Sequence, residues 1–271
     1  MKSSSNPQRH SRFINYSAER QKKLSQCHVI CTTLSGAGSK AFAEAVSRDE
    51  YPQSEFDAVI IDEACQGSEM ASLIPLKFNP NAFVLVGDPK QLPVLSFSRE
   101  AKRCNANRSL FERLQQNGWP IHLLRYQYRM HEEIASFPSK LFYDDLLITS
   151  NCVRNRSAKP WHHHHAFPPY LFWNNSGNMT SVQNGGGLLN KGEAQFVCDL
   201  LRAFSRVMLN TKDVSIGIIS FYNEQVALIN EKISKENKIL DWMRRQKITL
   251  QVSTVDGFQG KGCTIMTLVA V

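Results

Sequence analysis

The stretch AVIIDEACQGSEMASLIPLKFNPNAFVLVGDPKQLPV, residues 58–94, decides the fold. It contains two short apolar runs, residues 58–61 and 82–86, each too short for a helix and rich in β-branched or aromatic side chains. Such runs are typical of strands buried on both faces of a parallel sheet. Acidic residues follow directly, Asp62 and Glu63 after the first run and Asp88 after the second. Because ligands bind beyond the carboxyl ends of parallel strands, this edge is predicted to hold Mg²⁺ and a nucleotide.

The residue types at this edge indicate individual roles. Asp62 is predicted to hold Mg²⁺ through its water shell, since that ion keeps most of its waters and takes few carboxylates. Glu63 is predicted to orient or deprotonate the water that attacks a γ-phosphate. Gln91, on a loop stiffened by Pro89 and Pro93, is placed to sense that phosphate. One Asp-Glu pair alone is more often a solvated strand end, but two neighbouring strands with such endings favour a site.

Composition narrows the class of protein. The length of 271 residues suits one large domain or two smaller ones, and 42% hydrophobic residues are ample for a core. A formal net charge of +8 favours a polyanionic partner such as nucleic acid. Seven cysteines without a C-x-x-C pair indicate neither a disulfide framework nor a zinc site. No apolar run approaches membrane-spanning length, so no membrane partner is expected.

Seven motifs follow one another along the chain: VICTTLSGAGS at 29–39, DEACQ at 62–66, GDPKQLPV at 87–94, SLFERL at 109–114, QYRMH at 127–131, GIISFYNEQ at 217–225 and STVDGFQGKG at 253–262. Together they resemble superfamily-1 helicases, in the branch typified by senataxin and the nonsense-mediated-decay helicase. The resemblance covers nearly all of the chain beyond about residue 17. It implies an α/β fold of two incomplete RecA-like, P-loop NTPase-type domains with parallel sheets and a nucleotide cleft between them.

The domain division follows from the breaks in the pattern. Residues 1–17 are predicted to be a disordered start, residues 18–119 the first domain and residues 120–271 the second, with the boundary near Pro120. Strands are expected at residues 29–32, 121–124, 214–220, 248–252 and 264–271, and apolar residues at helical spacing predict an amphipathic helix over residues 190–206. Residues 150–187 show no period and are predicted to be a loop insert. The four consecutive histidines within it, residues 162–165, lack the spacing of a metal site.

The resemblance implies further site residues. Arg129 of the QYRMH motif would act as an arginine finger on the γ-phosphate, and Tyr128 would lie near the base and ribose. Gln259 and Gly260 would face phosphate. Contacts to the nucleic-acid backbone are implied at Thr32, Thr33, Ser220, Tyr222, Thr254 and Asp256. Two alternatives stay open: an arginine beside aromatic residues is often a surface ion-pair residue, and Ser39 can be a plain helix cap.

Three departures from the family pattern stand against full activity. No G-x-x-x-x-G-K-[ST] loop occurs, and Gly36-Ala37-Gly38-Ser39-Lys40 is only a superficial echo of it. Gly262 stands where the family carries an acidic residue, and the sequence stops before the family's motif VI arginines. These departures resemble truncation at both ends, and the chain alone is therefore expected to be inactive.

The functional expectation has two forms. The resemblance implies an enzyme that uses ATP and Mg²⁺ to move 5′→3′ along single-stranded RNA or DNA and to unwind duplexes, in the nucleus or cytoplasm, with the nucleus favoured. The alternative is a non-catalytic nucleic-acid-binding or protein-interaction remnant. A protein adaptor is a possible further partner, and RNA and DNA are not distinguished.

Overall fold

The computed structural model describes residues 19, 22–24, 26–46, 56–175, 179–181, 187–208 and 213–269. The α/β prediction is confirmed, since helices alternate with strands that pair mostly in parallel. The predicted disordered start, residues 1–17, lies outside the described residues. The chain divides into two compact units, Met1–His122 and Leu123–Val271. No helix in the described ranges is long and apolar enough to cross a membrane.

The first unit contains a two-stranded parallel sheet and short helices. Strands β1 (Ala58–Ile61) and β2 (Ala82–Leu85) pair with Ala58 opposite Ala82 and Ile61 opposite Leu85. The helices are α1 (Leu34–Gly38), α2 (Lys40–Val46), α3 (Glu69–Leu73), α4 (Arg99–Arg103) and α5 (Leu110–Gln116), and a 3₁₀ turn, Ile74–Phe78, follows α3.

Serine and threonine hydroxyls begin these helices. Thr33 Oγ1 accepts the N–H of Gly36 at 3.0 Å, and Ser39 Oγ accepts the N–H of Phe42 at 3.2 Å. Ser109 and Glu112 form a capping box at the start of α5. Each cap satisfies backbone donors that a helix leaves open at its first turn. The sequence-level alternative for Ser39, a helix cap, is therefore what this residue does here.

Two expectations about the first unit are wrong. Strands β1 and β2 are not buried on both faces, because Ile60 is 67% and Val84 43% exposed. Side chains alternate between the faces of a strand, and the described part of this unit covers only the face with Ile61. The predicted strand at residues 29–32 is not formed in the described part of the chain, and Val29 is exposed. An apolar run predicts extended backbone, but pairing needs a neighbouring strand.

The second unit is built on a three-stranded parallel sheet. Strand β7 (Ser215–Ser220) lies between β8 (Thr249–Thr254) and β9 (Ile265–Val269), and Ile216 pairs with Leu250 on one side and Ile265 on the other. Two smaller pairs are β3 (Tyr126–Gln127) with β4 (Ile148–Thr149), and β5 (Met179–Ser181) with β6 (Leu188–Asn190). The helices are α6 (Glu132–Phe142), α7 (Asn151–Ser157), α8 (Lys191–Val207), α9 (Asn223–Ser234), α10 (Asn237–Gln246) and α11 (Val255–Phe258).

The core of this unit lies between the sheet and helices α8, α9 and α10. Apolar residues at helical spacing on α8 belong to one core cluster with Ile216 and Ile218 of β7, which are fully buried. The helix predicted over residues 190–206 and the strands predicted near 214–220, 248–252 and 264–271 are confirmed, the last for its described residues. These elements were predictable because their hydrophobic periodicity matches the face that they bury.

Two expectations about the second unit are corrected. Residues 121–124 form no strand, and Leu124 is exposed, while pairing begins only at Tyr126. The segment expected to be a loop over residues 150–187 contains helix α7 and a 3₁₀ turn, Pro160–His163. Trp161 and Phe167 from that segment are buried in the core cluster. Its isolated apolar residues have no period, so only the core that they reach reveals their role.

Gln225 joins helix α9 to strand β6 through a buried pair of hydrogen bonds. Its Oε1 accepts the N–H of Asn190 at 2.8 Å, and its Nε2 donates to the Asn190 carbonyl at 3.1 Å. Asn190 Oδ1 in turn caps α8 by accepting the Glu193 N–H at 3.1 Å. Gln225 is 0% exposed, so water cannot reach these backbone groups. The Gln225 amide satisfies them as a neighbouring strand would. Removing it leaves two buried backbone groups unpaired.

We predict that Gln225→Ala lowers the free energy of unfolding of the second unit by about 2–4 kcal/mol, because a cavity adds to the lost hydrogen bonds. The measurement is urea denaturation followed by tryptophan fluorescence, since Trp161, Trp173 and Trp242 lie in this unit. The control is Glu231→Ala on the same helix, which removes only an exposed ion pair with Lys235 and should cost under about 1 kcal/mol. Equal losses in both variants would contradict the role of Gln225.

Candidate nucleotide and nucleic-acid site

The carboxyl ends of β1 and β2 form one continuous edge. Beyond the paired strands, the Val86 N–H donates to the Ile61 carbonyl at 2.9 Å and the Ala64 N–H donates to the Val86 carbonyl at 2.8 Å. The turn that carries Asp62 and Glu63 is therefore fastened beside the segment that carries Asp88. The structure brings together the acidic residues that the sequence placed after two separate strands.

Gly87 makes this fastening possible. A Cβ at Gly87 would lie 3.0 Å from the Cys65 N and Sγ atoms and 3.1 Å from the Ala64 N. Burial raises the pKa of the Cys65 thiol to about 11, and the carboxylates of Glu112 and Asp88 act in the same direction. Cys65 is therefore a neutral packing residue under the acidic edge. Sequence reasoning did not identify this contact, and its one available signal was a glycine directly after a strand.

Local hydrogen bonds hold the acidic side chains. Asp62 Oδ1 accepts the Glu63 N–H at 3.0 Å, and Glu63 Oε2 accepts from Gln66 Nε2 at 2.9 Å. Glu63 has a φ of 52°, the left-handed region that non-glycine residues rarely adopt. Asp88 accepts the Lys90 N–H at 2.9 Å and the Gln91 amide at 2.8 Å. Asp62, Glu63 and Gln91 are all exposed and can reach a ligand.

The donor set at this edge fits Mg²⁺ bound through water. Asp62 is an exposed carboxylate, and no described residue donates a hydrogen bond to its Oδ2 atom. An exposed carboxylate oxygen is the ligand type that this hard cation prefers. Across the described ranges, no group of three or more His, Cys, Asp or Glu side chains is arranged to hold a metal by itself, and this includes the consecutive histidines.

In the second unit, Gln127 shapes the loop that carries Arg129. Its Oε1 accepts the N–H groups of Arg129 at 3.0 Å and Met130 at 2.8 Å. Its Nε2 donates to the Met130 carbonyl and to Thr149 Oγ1, both at 2.7 Å. All four hydrogen-bonding positions of the amide are used, so the first residue of QYRMH serves the loop and not a ligand. We call residues 127–131 the arginine loop.

Arg129 and Tyr128 are presented outward from the arginine loop. Both side chains are exposed, and the Arg129 guanidinium has no hydrogen-bond or ion-pair partner among the described residues. A surface ion-pair role, the sequence-level alternative for this arginine, is thus not what the described part of the chain shows.

The carboxyl edge of the three-stranded sheet carries further predicted residues of the second unit. Ser220 pairs in register with Thr254, and Thr254 Oγ1 caps α11 by accepting the Gly257 N–H at 3.3 Å. Phe258 lies over the sheet where a Cβ on Gly217 would stand. This anchors the segment that carries Asp256, Gln259 and Gly260, and Gly260 has a φ of 71°.

The predicted nucleic-acid contacts differ in accessibility. Thr32, Thr33 and Asp256 are exposed, and Tyr222 and Thr254 are half-buried. Ser220 is 0% exposed, and its hydroxyl has no hydrogen-bond partner among the described residues. In this conformation the Ser220 side chain cannot contact a nucleic-acid strand. The contact role of the other five residues stays a prediction.

Comparison with known proteins follows the same lines as the geometry. Models of the AAA domain match residues 2–99 and 106–271. The chain is 36% identical over 241 residues to the probable helicase MAGATAMA 3 of Arabidopsis thaliana, an alignment covering 88% of this chain and 28% of the relative. It is 33% identical over 263 residues to the helicase SEN1 of Saccharomyces cerevisiae, covering 92% and 11% respectively.

A third relative extends the comparison to another helicase group. The regulator of nonsense transcripts 1 homolog of Neurospora crassa is 31% identical over 257 residues, covering 92% of this chain and 22% of the relative. The chain thus spans between 11% and 28% of the length of these three relatives.

The chain belongs to the AAA-domain family, whose members have RecA-like P-loop folds. Within that family it is of the superfamily-1 helicase type, in the branch of senataxin and the nonsense-transcript regulators. The family resemblance seen in the motifs is confirmed.

We predict that Gly87→Ala loosens the acidic edge. The new Cβ must push the turn at residues 64–65 away from β2, which should cost about 1–3 kcal/mol of stability in the first unit. It should also raise the rate at which Cys65 reacts with a thiol reagent at pH 8, where the wild-type thiol is buried and protonated. Peptide mass spectrometry separates Cys65 from the exposed Cys27, Cys31 and Cys104.

The matched control is Gly262→Ala, because a Cβ there meets nothing within 4 Å. Unchanged Cys65 labelling in Gly87→Ala would show that the strand end has room for a side chain.

Proposed function

We propose that this chain carries the ATP-hydrolysing edge and the strand-contacting loops of a helicase that moves 5′→3′ along single-stranded RNA or DNA, with the nucleus favoured as its location. The observation that carries the proposal is the parallel pairing of β1 with β2, which sets Asp62 and Glu63 beside Asp88 at one carboxyl edge. Ligands of open parallel α/β sheets bind at such an edge. The likeness to proteins named helicases supports the same class of activity.

The exposed side chains at this edge have distinct roles in the proposal. Asp62, whose Oδ2 accepts no hydrogen bond from a described residue, would hold the water shell of Mg²⁺, and that ion would supply positive charge beside the phosphates of ATP. Glu63 orients the attacking water and accepts its proton, while its contact with Gln66 fixes the carboxylate. Gln91 faces the γ-phosphate from the position that its bond to Asp88 gives it.

The other motif residues have further roles in the proposal. Arg129, which has no hydrogen-bond or ion-pair partner among the described residues, stabilises the negative charge that develops on the γ-phosphate oxygens, with Tyr128 beside the base and ribose. Gln259 and Gly260 face phosphate at the turn held by Phe258. Thr32, Thr33, Tyr222, Thr254 and Asp256 lie along the nucleic-acid backbone, with Ser220 as a sixth position whose hydroxyl needs a local rearrangement to reach it.

We predict that the chain binds single strands without regard to sequence. Its net charge of +8 attracts phosphate, and binding releases cations from the nucleic acid. Affinity for labelled oligo(U), oligo(dT) and a mixed-sequence strand should therefore fall about tenfold or more between roughly 50 and 200 mM salt, by fluorescence anisotropy. Tight, salt-insensitive binding to only one of these sequences would contradict backbone recognition.

A second function, a non-catalytic nucleic-acid-binding protein, is favoured by one specific observation. The sequence of 271 residues contains no G-x-x-x-x-G-K-[ST] motif. In P-loop enzymes the amides, lysine and hydroxyl of this loop hold the phosphates and Mg²⁺. Losing a single preorganised donor typically lowers turnover by about 10²–10³-fold. On this basis residues 1–271 by themselves should bind nucleic acid and hydrolyse ATP too slowly to be useful.

ATP turnover separates the two functions. We predict no nucleic-acid-stimulated hydrolysis by residues 1–271, and hydrolysis by a longer protein in which a P-loop precedes this chain. In that longer protein, Glu63→Gln should leave ATP binding intact and lower turnover by about 10²-fold or more. Glu44→Gln, an exposed carboxylate on α2, is the control and should change neither.

Two results would contradict these assignments. Near-normal turnover of the Glu63→Gln protein would show that Glu63 is not the base. Robust hydrolysis by residues 1–271 that disappears with Glu63→Gln would show that another loop of this chain replaces the P-loop.

A further inference from the structure

Helix α7 contacts the arginine loop and the first residue of the helix that follows it. The Arg156 guanidinium donates to the backbone carbonyl of Tyr128, directly beside Arg129. Arg154 Nε donates to Glu132 Oε2 at 2.9 Å, at the first residue of helix α6. Val153, in the middle of α7, is fully buried and fixes the helix to the body of the unit.

A third contact comes from the 3₁₀ turn after α7. The rings of His162 and His131 meet edge to face, with their centroids 5.5 Å apart. His131 is the last residue of the arginine loop and caps α6, because its Nδ1 accepts the Glu133 N–H at 3.2 Å. His162 Nδ1 accepts the Lys159 N–H at 3.3 Å, and the neighbouring Trp161 is part of the core.

We infer that Arg154, Arg156 and His162 are positioning residues that brace the arginine loop from behind, so that Arg129 stays outward and free to meet phosphate. The inference rests on the proposed function of Arg129 and adds the residues that hold it. Each of these three residues contacts a different part of the loop or of helix α6 directly after it. None of the three contacts involves the Arg129 guanidinium. The brace comes from a segment whose sequence predicts only a loop.

The three contacts differ in weight. The Arg154–Glu132 pair is exposed on both sides, and such pairs contribute little. Arg156 makes a charge-assisted hydrogen bond to a backbone carbonyl of the loop itself, which is a stronger type of bond. Gln127 ties the loop internally and to Thr149 of β4, and Arg156 adds a hydrogen bond from helix α7 to the loop. We therefore expect Arg156 to carry most of the effect.

The histidine contact makes the brace dependent on pH. His162 Nδ1 accepts a backbone hydrogen bond, so its ring must be unprotonated at that nitrogen. Burial lowers the pKa of His162, with the charges of His131, Lys159 and His163 acting in the same direction and Glu133 opposing them. Because this pKa is lowered in the folded chain, His162 becomes protonated at a higher pH in the unfolded chain than in the folded chain. The brace is at full strength above about pH 6.5 and weakens as the pH falls below that value.

Amide hydrogen exchange of residues 1–271 tests the brace without nucleotide. The reporters are the N–H groups of Arg129, Met130 and Glu133, each bonded within or beside the loop, with exchange corrected for its intrinsic pH dependence. At pH 7.5, Arg156→Met should lower their protection about three- to tenfold, and Arg156→Lys should restore most of it. Arg245→Met, which removes an exposed arginine on α10, should leave it unchanged.

The pH dependence is tested with variants in which phenylalanine replaces a single histidine. Wild-type protection at these amides should fall between pH 7.5 and 5.5, after correction. His162→Phe keeps an aromatic ring against His131 and should abolish this fall at the Arg129 and Met130 amides, whose acceptor is Gln127, whereas His165→Phe, three residues along the chain, should preserve it. The amides of Ile216 and Ile218 in the buried strand β7 report general unfolding in every sample.

Each outcome decides the inference. It is overturned if Arg156→Met leaves the loop amides protected, if Arg156→Lys fails to restore them, or if His162→Phe keeps the pH dependence. Loss of protection that spreads equally to β7 overturns it too, because Arg156 would then be a general structural residue. Because no reporter involves ATP, failure of the brace and failure of the ATPase proposal are separate results.

Discussion

The space left by a missing Cβ sets the geometry of both units. At Gly87, directly after strand β2, the absent side chain lets the turn at residues 64–65 lie against the strand end, which fastens Asp62 and Glu63 beside Asp88. At Gly217, inside strand β7, it lets Phe258 lie over the sheet and anchor the turn that carries Gln259 and Gly260. Loops at the carboxyl ends of parallel strands are commonly more mobile than the strands themselves. Close packing against the backbone at Gly87 and Gly217 fixes the position of these two loops.

Two glutamine side chains do a related task with hydrogen bonds. Gln225 offers its amide to the N–H and carbonyl of Asn190, as a strand neighbour would, and Gln127 does the same for the backbone of residues 129–130. Each lies within a motif matched in the family. Both amides stabilise backbone that no strand or helix satisfies, so the ligand-facing work falls to their exposed neighbours. A motif position therefore need not touch the ligand to matter for the site.

The distribution of exposure separates scaffold from chemistry. Cys65, Gln225 and Ser220 are buried, and burial keeps the Cys65 thiol neutral. The exposed side chains are those of Asp62, Glu63, Gln91 and Arg129. Hydrogen bonds to residues nearby in the chain hold Asp62, Glu63 and Gln91 at little cost to the stability of the fold. Charged groups kept in water need no compensating partner, which leaves them free to pair with phosphate and Mg²⁺. Arg129 shows this most plainly, since its loop is tied on the inner side while its guanidinium stays unpaired in the described chain.

The sequence by itself determined the α/β class, the parallel strands after which Asp62, Glu63 and Asp88 occur, the helix over residues 190–206 and the helicase family. Periodicity and motif spacing carry that information because they depend on local backbone geometry. Tertiary structure alone decided that Ile60 and Val84 are exposed, that residues 29–32 and 121–124 stay unpaired, and that residues 151–163 fold into a helix and a 3₁₀ turn. Burial and pairing depend on what lies opposite a segment, and no stretch of sequence contains its own neighbour. The contacts of Gly87 with Cys65 and of Arg156 with Tyr128 join residues distant along the chain, so only the folded molecule could reveal them.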